Sequence, residues 1–356
     1  MENGISLYLG LDNSFAENKK LIEDAAHLGI RRLFTSFHIP EIDPLVFKKE
    51  LRDTIHTARQ YDMEIISDVS PKTLELLDVD HFSLASFHFL GITTVRLDFG
   101  YSPEQVADFS HNPQHIKIQL NASTITPAYL QQLVDLHANF HQIEALHNFY
   151  PRENTGLSEE TLVRKTRLLH KLGIKTSAFV PSQYRRRGPL YRGLPTLEMH
   201  RDANVDFAAR HLIALGIDSV FIGDSLPNAE ELSALSSLRD DTVVIKIKLL
   251  TNDPVQKELL SHTFTSRIDE AQDAIRAQES RPLLKGIIEP ENNISRPYGA
   301  VTLDNQKYLR YMGELQIVKR PQPADERVNV VAKIDNDECH LLPYIVPGRK
   351  FAFKIV

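Results

Sequence analysis

Short apolar runs alternate with amphipathic helical segments along the first two thirds of the chain. Phe47, Leu51, Ile55 and Ala58, for example, follow one another at helical spacing. The apolar runs predict strands at Ile5–Gly10, Arg32–Phe37, Glu64–Asp68, Thr93–Phe99, Ile116–Asn121, Gln142–His147, Lys175–Val180 and Ser219–Asp224. Eight successive strand–helix units are typical of a (β/α)8 TIM-type barrel. An open doubly wound sheet is the alternative, but the chain has no Gly-x-Gly-x-x-Gly motif to support it.

The pattern changes after Leu238. Val243–Leu250 alternates between apolar and polar residues, and Pro and Gly are frequent beyond it. Further strand-like runs are Lys285–Ile288, Leu315–Lys319, Asn329–Lys333 and Lys350–Val356, and only Ile268–Gln278 shows a helical pattern. The sequence therefore predicts a catalytic α/β barrel over residues 1–240 and a smaller, mostly β domain over residues 241–356.

Composition narrows the class of protein. The 356 residues include 41 Lys and Arg against 47 Asp and Glu, so a net charge of −6 argues against binding to nucleic acid or an anionic membrane. The single cysteine, Cys339, excludes an internal disulfide and points to a reducing compartment. Neither a signal-peptide pattern nor an apolar run of membrane-spanning length is present. We therefore expect a cytoplasmic protein.

Polar side chains cluster where the predicted strands end, which is where a barrel of this type builds its active site. Alternation along the strands turns Asp68, Asp98 and Glu144 inward, with Arg96 and Asn121 beside them. Converging carboxylates can supply a general acid together with a base or nucleophile. Each of them can equally be structural. No metal or other cofactor is expected, because no His-x-His or His-Glu-x-x-His spacing occurs.

The segment after the seventh predicted strand is long and basic. Tyr184–Pro189 contains three consecutive arginines, and loops after strands 7 and 8 often bind phosphate in such barrels. A solvated basic turn is the alternative. Glu198, later in the same segment, is either an active-site carboxylate or the start of the next helix.

Long motifs in these regions resemble those of a known family. They are Gly4–Tyr8, His147–Arg152, Thr155–Ser158, Arg187–Leu190, Gly193–Arg201, Arg296–Gly299, Asp304–Asn305 and Arg310–Ile317. Together they are similar, nearly end to end, to the bacterial 6-phospho-N-acetylmuramidases, glycoside hydrolase family 170, once labelled outer surface proteins. The resemblance implies a barrel followed by a cyclophilin-like β domain.

The resemblance also implies a substrate, N-acetylmuramic acid 6-phosphate linked β-1,4 to N-acetylglucosamine, a cell-wall disaccharide that is recycled in the cytoplasm. Its phosphate and lactyl carboxylate need cations, for which Arg96, Arg152, Arg185 to Arg187, Arg201 and Arg296 are candidates. Barrel geometry makes Asp98 and Glu144 the leading catalytic pair, with Asp68 and Glu198 as alternates. The expected substrate-binding residues are Tyr8, His38, Arg96, Asn121, His147, Asn148, Tyr150, Arg187, Arg201, Gly223, Asp224, Arg296, Tyr298 and Asn305.

Several alternatives remain open at this level. The 2-acetamido group of the substrate can replace a carboxylate as nucleophile, and the stereochemical outcome is not decided. A sugar-phosphate lyase or isomerase, or a non-catalytic sugar-phosphate-binding protein, fits the same polar strand ends. The Arg296–Asn305 region either closes over the barrel mouth or belongs to a packing or homodimer module.

Overall fold

The computed structural model describes residues 1–36, 44–69, 82–97 and 100–356. The chain divides into two compact units, Met1–Leu238 and Arg239–Val356. Among the described residues, no helix combines the length and the apolar character needed to cross a membrane.

The first unit is a closed barrel of eight parallel strands that pair in chain order, with β8 returning to β1, so the predicted TIM-type barrel is confirmed. The strands are β1 Gly4–Leu7, β2 Arg32–Ser36, β3 Glu64–Val69, β4 Thr94–Leu97, β5 Lys117–Asn121, β6 Ile143–Leu146, β7 Lys175–Val180 and β8 Ser219–Ile222. Its helices include α1 Phe15–His27, α2 Pro44–Gln60, α3 Leu84–Leu90, α4 Pro103–Phe109, α5 Pro127–Asp135, α6 Glu159–His170, α7 Val205–Ala214 and α8 Ala229–Ser236.

Local sequence determines where these helices begin and end. Ser14 and Glu17 form a capping box at the start of α1, in which each side chain accepts a hydrogen bond from the other's backbone N–H. Ser102 caps α4 in the same way and is followed by Pro103 at the first helical position. After α7, Gly216 takes a φ of 96°, a left-handed conformation that lets the chain turn directly into β8.

The interior of the barrel has three layers. Its middle layer is an apolar cluster of buried side chains from strands on both sides of the barrel. The members are Tyr8, Phe34, Ile66, Leu146, Phe179, Leu194 and Phe221. This cluster separates a charged floor at the amino ends of the strands from a polar mouth at their carboxyl ends.

The floor is built around Arg32, the first residue of β2. Its Nη2 lies 2.5 Å from Glu144 Oε1 on β6, and its Nε lies 3.2 Å from Glu64 Oε2 on β3. Gln119 Nε2 donates a hydrogen bond of 2.6 Å to the same Glu144 oxygen. Because β2 and β6 are not neighbours, these side chains meet across the barrel interior.

The second unit is a curled seven-stranded sheet, which confirms a smaller, mostly β domain. Its strands are β9 Thr242–Leu249, β10 Thr263–Thr265, β11 Ala274–Arg276, β12 Ala300–Asp304, β13 Leu315–Val318, β14 Val328–Ile334 and β15 Lys350–Ile355. Their order in the sheet is β10-β15-β9-β14-β12-β13-β11. Two helices, α9 Pro254–Leu260 and α10 Ser280–Leu283, lie between them.

Two predictions for this unit are wrong. Ile268–Gln278 is not helical, because Ala274–Arg276 pairs with β13 and buries Ile275 opposite Ile317. Lys285–Ile288 forms no strand. At Ile268–Gln278, pairing with a distant segment decides the structure, and the local spacing of apolar residues does not indicate that pairing.

Candidate active site

The mouth of the barrel carries polar side chains from several strands. Ser36 at the end of β2 donates a hydrogen bond of 2.8 Å to Asp68 Oδ2 on β3. Arg96 on β4 reaches across β5, and its Nη2 lies 2.5 Å from Asn148 Oδ1. Asp68 and Arg96, which strand alternation predicted to face inward, are register partners, and Asn148 lies against Arg96 at the same mouth.

Arg187 lies over two aromatic rings at this mouth. Its guanidinium carbon is 4.5 Å from the centre of the Tyr8 ring and 5.2 Å from that of Phe149. Tyr8 donates its hydroxyl to the Gly223 carbonyl at 2.7 Å, which fixes the ring. Burial raises the pKa of Tyr8 above its usual value, with Arg187 opposing the rise, so Tyr8 stays protonated at neutral pH.

Asp224, which follows β8, organises the loop after β7. Its carboxylate accepts backbone N–H groups from Ser182 at 2.9 Å, Arg187 at 2.9 Å and Leu194 at 3.1 Å. Burial raises the pKa of Asp224 to about 6, although these three hydrogen bonds work in the opposite direction. These contacts give Asp224 a supporting role for the loop, and its substrate-binding role stays a prediction.

Two further carboxylates outside the loop hold the same segment. Asp12 accepts Gly188 N at 2.8 Å and the Tyr191 hydroxyl at 3.1 Å. Glu231 accepts the Ser182 hydroxyl and the Gln183 N, both at 2.7 Å. The loop backbone is thus tied to the barrel at several points along its length.

Glu198 and Arg201 form a bidentate ion pair in which both Glu198 oxygens lie 2.7 Å from guanidinium nitrogens. Glu198 also accepts Asn154 N at 2.9 Å and Gly156 N at 2.7 Å. The hydrogen bonds from Arg201, helped by these two N–H groups, lower the pKa of Glu198 to about 2. Arg201 is buried and donates to the carbonyls of Tyr150, Arg152, Arg192 and Gly193. The pair links two loops and is saturated by protein partners.

Glu144 does not lie at the mouth, contrary to our expectation. It is the second residue of β6, and its contacts with Arg32 and Gln119 place it in the barrel floor. Strand alternation predicted that the Glu144 side chain points into the barrel, and it does. Alternation does not report the height of a residue along the barrel axis, which is why the placement failed.

His147 is fully buried and points away from the mouth. Its Nε2 lies 3.2 Å from the Thr166 hydroxyl on α6, outside the strand wall, and its Nδ1 lies 3.2 Å from the Ser123 hydroxyl. Burial lowers the pKa of His147 to about 3, so the imidazole is neutral. It supports the backbone beside Asn148, whose N–H donates to the same Ser123 hydroxyl.

The remaining barrel candidates differ in their surroundings. Asn121 lies at the end of β5, beside a recess of about 260 Å³ that Tyr101 and Tyr129 also line. Tyr150 is tied through its backbone, whose N–H donates to Pro195 O at 2.9 Å. Gly223 permits a close approach, because a Cβ there would lie 2.7 Å from Leu194 O. Asp98 and His38 lie outside the described residues.

Three candidates lie in the second unit. Arg296 donates from Nε to Pro323 O at 3.0 Å, and the side chain of Tyr298 is partly exposed. Asn305 is fully buried, donates from Nδ2 to Glu326 O at 2.9 Å and accepts Lys307 N at 3.1 Å. These contacts give Asn305 a place in the internal structure of the unit. The substrate-binding roles of all three stay predictions.

Sequence reasoning missed Asp12, Ser36 and Phe149. Asp12 and Ser36 stand at or just after predicted strands 1 and 2, so their position was a usable signal. Phe149 lies within a motif that we had identified, but its contact with Arg187 depends on the path of the loop after β7.

No cluster of three or more His, Cys, Asp or Glu side chains suited to a metal ion occurs among residues 1–36, 44–69, 82–97 and 100–356. The described part of the mouth offers carboxylate, guanidinium, amide and hydroxyl groups. Such groups can bind an anionic, hydroxyl-rich ligand and move protons to and from it.

Comparison with known proteins identifies related chains along the whole length. The profile of a family described as "6-phospho-N-acetylmuramidase, N-terminal" matches residues 3–237, and its C-terminal counterpart matches residues 243–354. No protein with a curated description matches.

Two solved structures are similar over nearly the full length. An uncharacterized B. cereus protein shares 32% sequence identity at a TM-score of 0.85, covering 99% of this chain and 100% of its own. A conserved protein of unknown function from an Enterococcus faecalis locus shares 34% identity at a TM-score of 0.69, covering 100% of this chain and 96% of its own.

Proposed function

Because this chain belongs to the 6-phospho-N-acetylmuramidase family of glycosidases, we propose that it cleaves the β-1,4 bond between N-acetylmuramic acid 6-phosphate and N-acetylglucosamine. The observation that carries the proposal is the match of both family profiles, over residues 3–237 and 243–354. As part of the same proposal, the reaction belongs to cell-wall sugar recycling in the cytoplasm.

The chemistry of the mouth supports this substrate. Its phosphate and lactyl carboxylate are anions, and Arg96 and Arg187 bring guanidinium groups to the mouth.

We assign the acid–base work to Asp98 and Asp68. Asp98 directly follows β4, and β4 pairs with β3, which carries Asp68. One carboxyl group protonates the glycosidic oxygen as the bond to the sugar breaks. The other attacks the sugar, activates water, or orients the 2-acetamido group for attack. The contacts of Glu144 and Glu198 favour structural roles for them.

A Schiff-base lyase is less well supported. Such an enzyme needs a reactive Lys at the mouth. Lys117 and Lys175 line a cavity of about 190 Å³ at the barrel floor, next to Arg32 and Glu144.

The first test is a paired incubation. The purified protein, with EDTA present, is given the N-acetylmuramic acid–N-acetylglucosamine disaccharide in its 6-phosphorylated and plain forms. Mass spectrometry is expected to detect cleavage products from the phosphorylated form alone. Cleavage of neither form by folded protein would contradict the proposal and favour the lyase or binding-protein alternatives.

The control for this test is Asp98→Asn. Loss of the acid or nucleophile is expected to lower kcat about 1,000-fold, within the usual range for such groups. Circular dichroism checks that the variant is folded. Near-normal turnover in folded Asp98→Asn would remove Asp98 from the mechanism, and Asp68→Asn is then the next variant.

A further inference from the structure

The arginines that follow β7 in the chain differ in whether their donors are already used. Arg185 donates to Glu17 at 2.6 Å and to Asp12 O at 2.9 Å. Arg186 donates to Asp202 at 3.0 Å and to Arg201 O at 3.1 Å. Arg201 is saturated by Glu198 and backbone carbonyls. These side chains hold the loop after β7 in place and have little capacity left for a ligand.

Arg187 is different. Only its Nε is bonded, to Gly188 O at 3.1 Å, and neither Nη atom has a hydrogen-bond partner among the residues that the structure describes. The two rings beneath it attract the cation through their π faces and leave the outer edge of the guanidinium open. That edge presents two parallel N–H groups, which match the geometry of a phosphate or carboxylate.

The loop backbone does not compete for the same anion. The N–H groups of Ser182, Arg187 and Leu194 donate to Asp224, and that of Gly188 donates to Asp12. Gly223 N donates to Val180 O, so this N–H is not available either. These five N–H groups therefore form no anion-binding nest, and the turn offers a ligand the Arg187 side chain.

Resting on the function proposed above, we propose that Arg187 is the residue that binds the 6-phosphate and so selects phosphorylated over plain substrate. The carboxylates of Asp12, Asp224 and Glu231 fix the loop beforehand, and Tyr8 and Phe149 fix the side chain. The phosphate-binding group is thus in place before substrate arrives, which lowers the entropic cost of binding.

Steady-state kinetics on three disaccharides tests the assignment: the 6-phosphorylated substrate, its plain form, and a 6-phosphorylated analogue that lacks the lactyl group. Arg187→Gln is expected to raise KM for both phosphorylated compounds about 100-fold and to change kcat much less. Any slow cleavage of the plain form is expected to keep its rate. Arg187→Lys, which keeps the charge but loses the fork, is expected to fall between wild type and Arg187→Gln.

Arg192→Gln is the matched control. Arg192 lies in the same loop, but it is exposed and its Nε is 3.5 Å from Glu153 Oε2. Its loss is expected to change KM less than twofold. A KM for the phosphorylated compounds that is equal in Arg187→Gln and wild type would overturn the assignment. The assignment would also be overturned if Arg187→Gln weakened kcat/KM equally for the 6-phosphorylated substrate and its plain form but left the lactyl-free analogue unaffected. That result would mark Arg187 as a residue that binds the lactyl carboxylate.

Calorimetric titration separates this inference from the proposed function. Inorganic phosphate and N-acetylmuramic acid 6-phosphate are titrated into wild type, Arg187→Gln and Arg192→Gln. If Arg187→Gln binds these two ligands at least tenfold more weakly than wild type and Arg192→Gln do, the phosphate site is supported, even where no disaccharide is cleaved. Binding that is unchanged in folded Arg187→Gln overturns the site, whereas hydrolysis by wild type would leave the proposed function standing.

Discussion

At the scale of single residues, Asp224 shows the cost of using a buried carboxyl group to hold a loop. Three backbone N–H groups donate to it, yet burial dominates and raises its pKa to about 6. The folded protein therefore binds this proton more tightly than the unfolded chain, whose value is near 3.8. A rise of that size corresponds to about 3 kcal/mol.

This pKa gives a prediction with a definite sign. The contribution of Asp224 to the free energy of unfolding is largest below pH 4 and decreases as the pH rises through 6. Compared with Asp224→Asn, which cannot ionise, wild type is therefore expected to lose up to about 3 kcal/mol of relative stability between pH 4 and pH 7. Urea unfolding of both proteins across that range measures the difference. A difference that stays constant, or that moves in favour of wild type as the pH rises, contradicts the prediction.

At the scale of elements, the loops after β6 and β7 are joined by the Glu198–Arg201 pair. Arg201 is 5% exposed and its nitrogens reach carbonyls in both loops. Removing the carboxylate leaves a buried guanidinium without its counter-charge, which is costly in a site of this kind. The position of Phe149 under Arg187 therefore depends on an ion pair elsewhere in the same loops.

Glu198→Gln is expected to lower the free energy of unfolding at pH 7 by about 2 to 3 kcal/mol. Because the pKa of Glu198 is lowered to about 2 from 4.5, its stabilising contribution is present above pH 4.5 and is lost as the pH falls towards 2. The difference in thermal stability between wild type and variant should therefore shrink steadily from pH 4.5 to about pH 2.

Turnover distinguishes this role from a catalytic one. In a folded Glu198→Gln variant, kcat at pH 7 is expected to stay within about tenfold of wild type, because the Glu198 side chain stabilises the loops and does not contact the reacting atoms. A loss of about 1,000-fold without a loss of stability would return Glu198 to the list of catalytic carboxylates.

At the scale of the whole molecule, the layered barrel interior separates two sets of charges. Arg32, Glu64 and Glu144 form the floor, and the apolar cluster lies between them and the mouth. Buried ion pairs of this kind tolerate joint replacement better than the loss of one partner.

A double-mutant cycle tests the floor. Glu144→Leu alone is expected to cost about 3 to 5 kcal/mol of stability, because it leaves Arg32 buried beside Glu64 only. The double variant Arg32→Met with Glu144→Leu is expected to recover at least half of that loss. Urea unfolding measures each free energy. Strictly additive losses would show that the two residues do not act as a pair.

The same variants address the catalytic role first expected for Glu144. The folded double variant should keep its turnover of the phosphorylated disaccharide within a few-fold of wild type, because the apolar layer separates Glu144 from the mouth. A large fall in kcat in that folded protein would show that Glu144 takes part in the chemistry.

Much of the fold followed from local pattern. The eight strands of the barrel were predicted because apolar periodicity and helix caps recur along the chain, and several helices end in a glycine before the next strand. The site was predicted less completely. Asp68 and Arg96 were correctly expected at the mouth, whereas Glu144 was not, because facing inward does not determine depth.

Other parts of the site depend on contacts between distant segments. Arg187 meets Tyr8 only because β8 closes the barrel against β1, and the sequence pattern does not specify that contact. In the second unit, Ala274–Arg276 became a strand because β13 was available to pair with it. Such pairings are properties of the assembled fold, and local propensity competes poorly with them.

The way in which the loop after β7 is held also bears on how this scaffold can diversify. Asp12, Asp224 and Glu231 hold its main chain from outside, and Arg185 and Arg186 add side-chain anchors, so the shape of the loop depends little on the side chain at position 187. A single substitution can thus place a different ligand-binding side chain at position 187 without a change in the conformation of the loop backbone. Different residues therefore set the structure of the loop and the substrate preference, and a single substitution at position 187 could change which sugar is preferred.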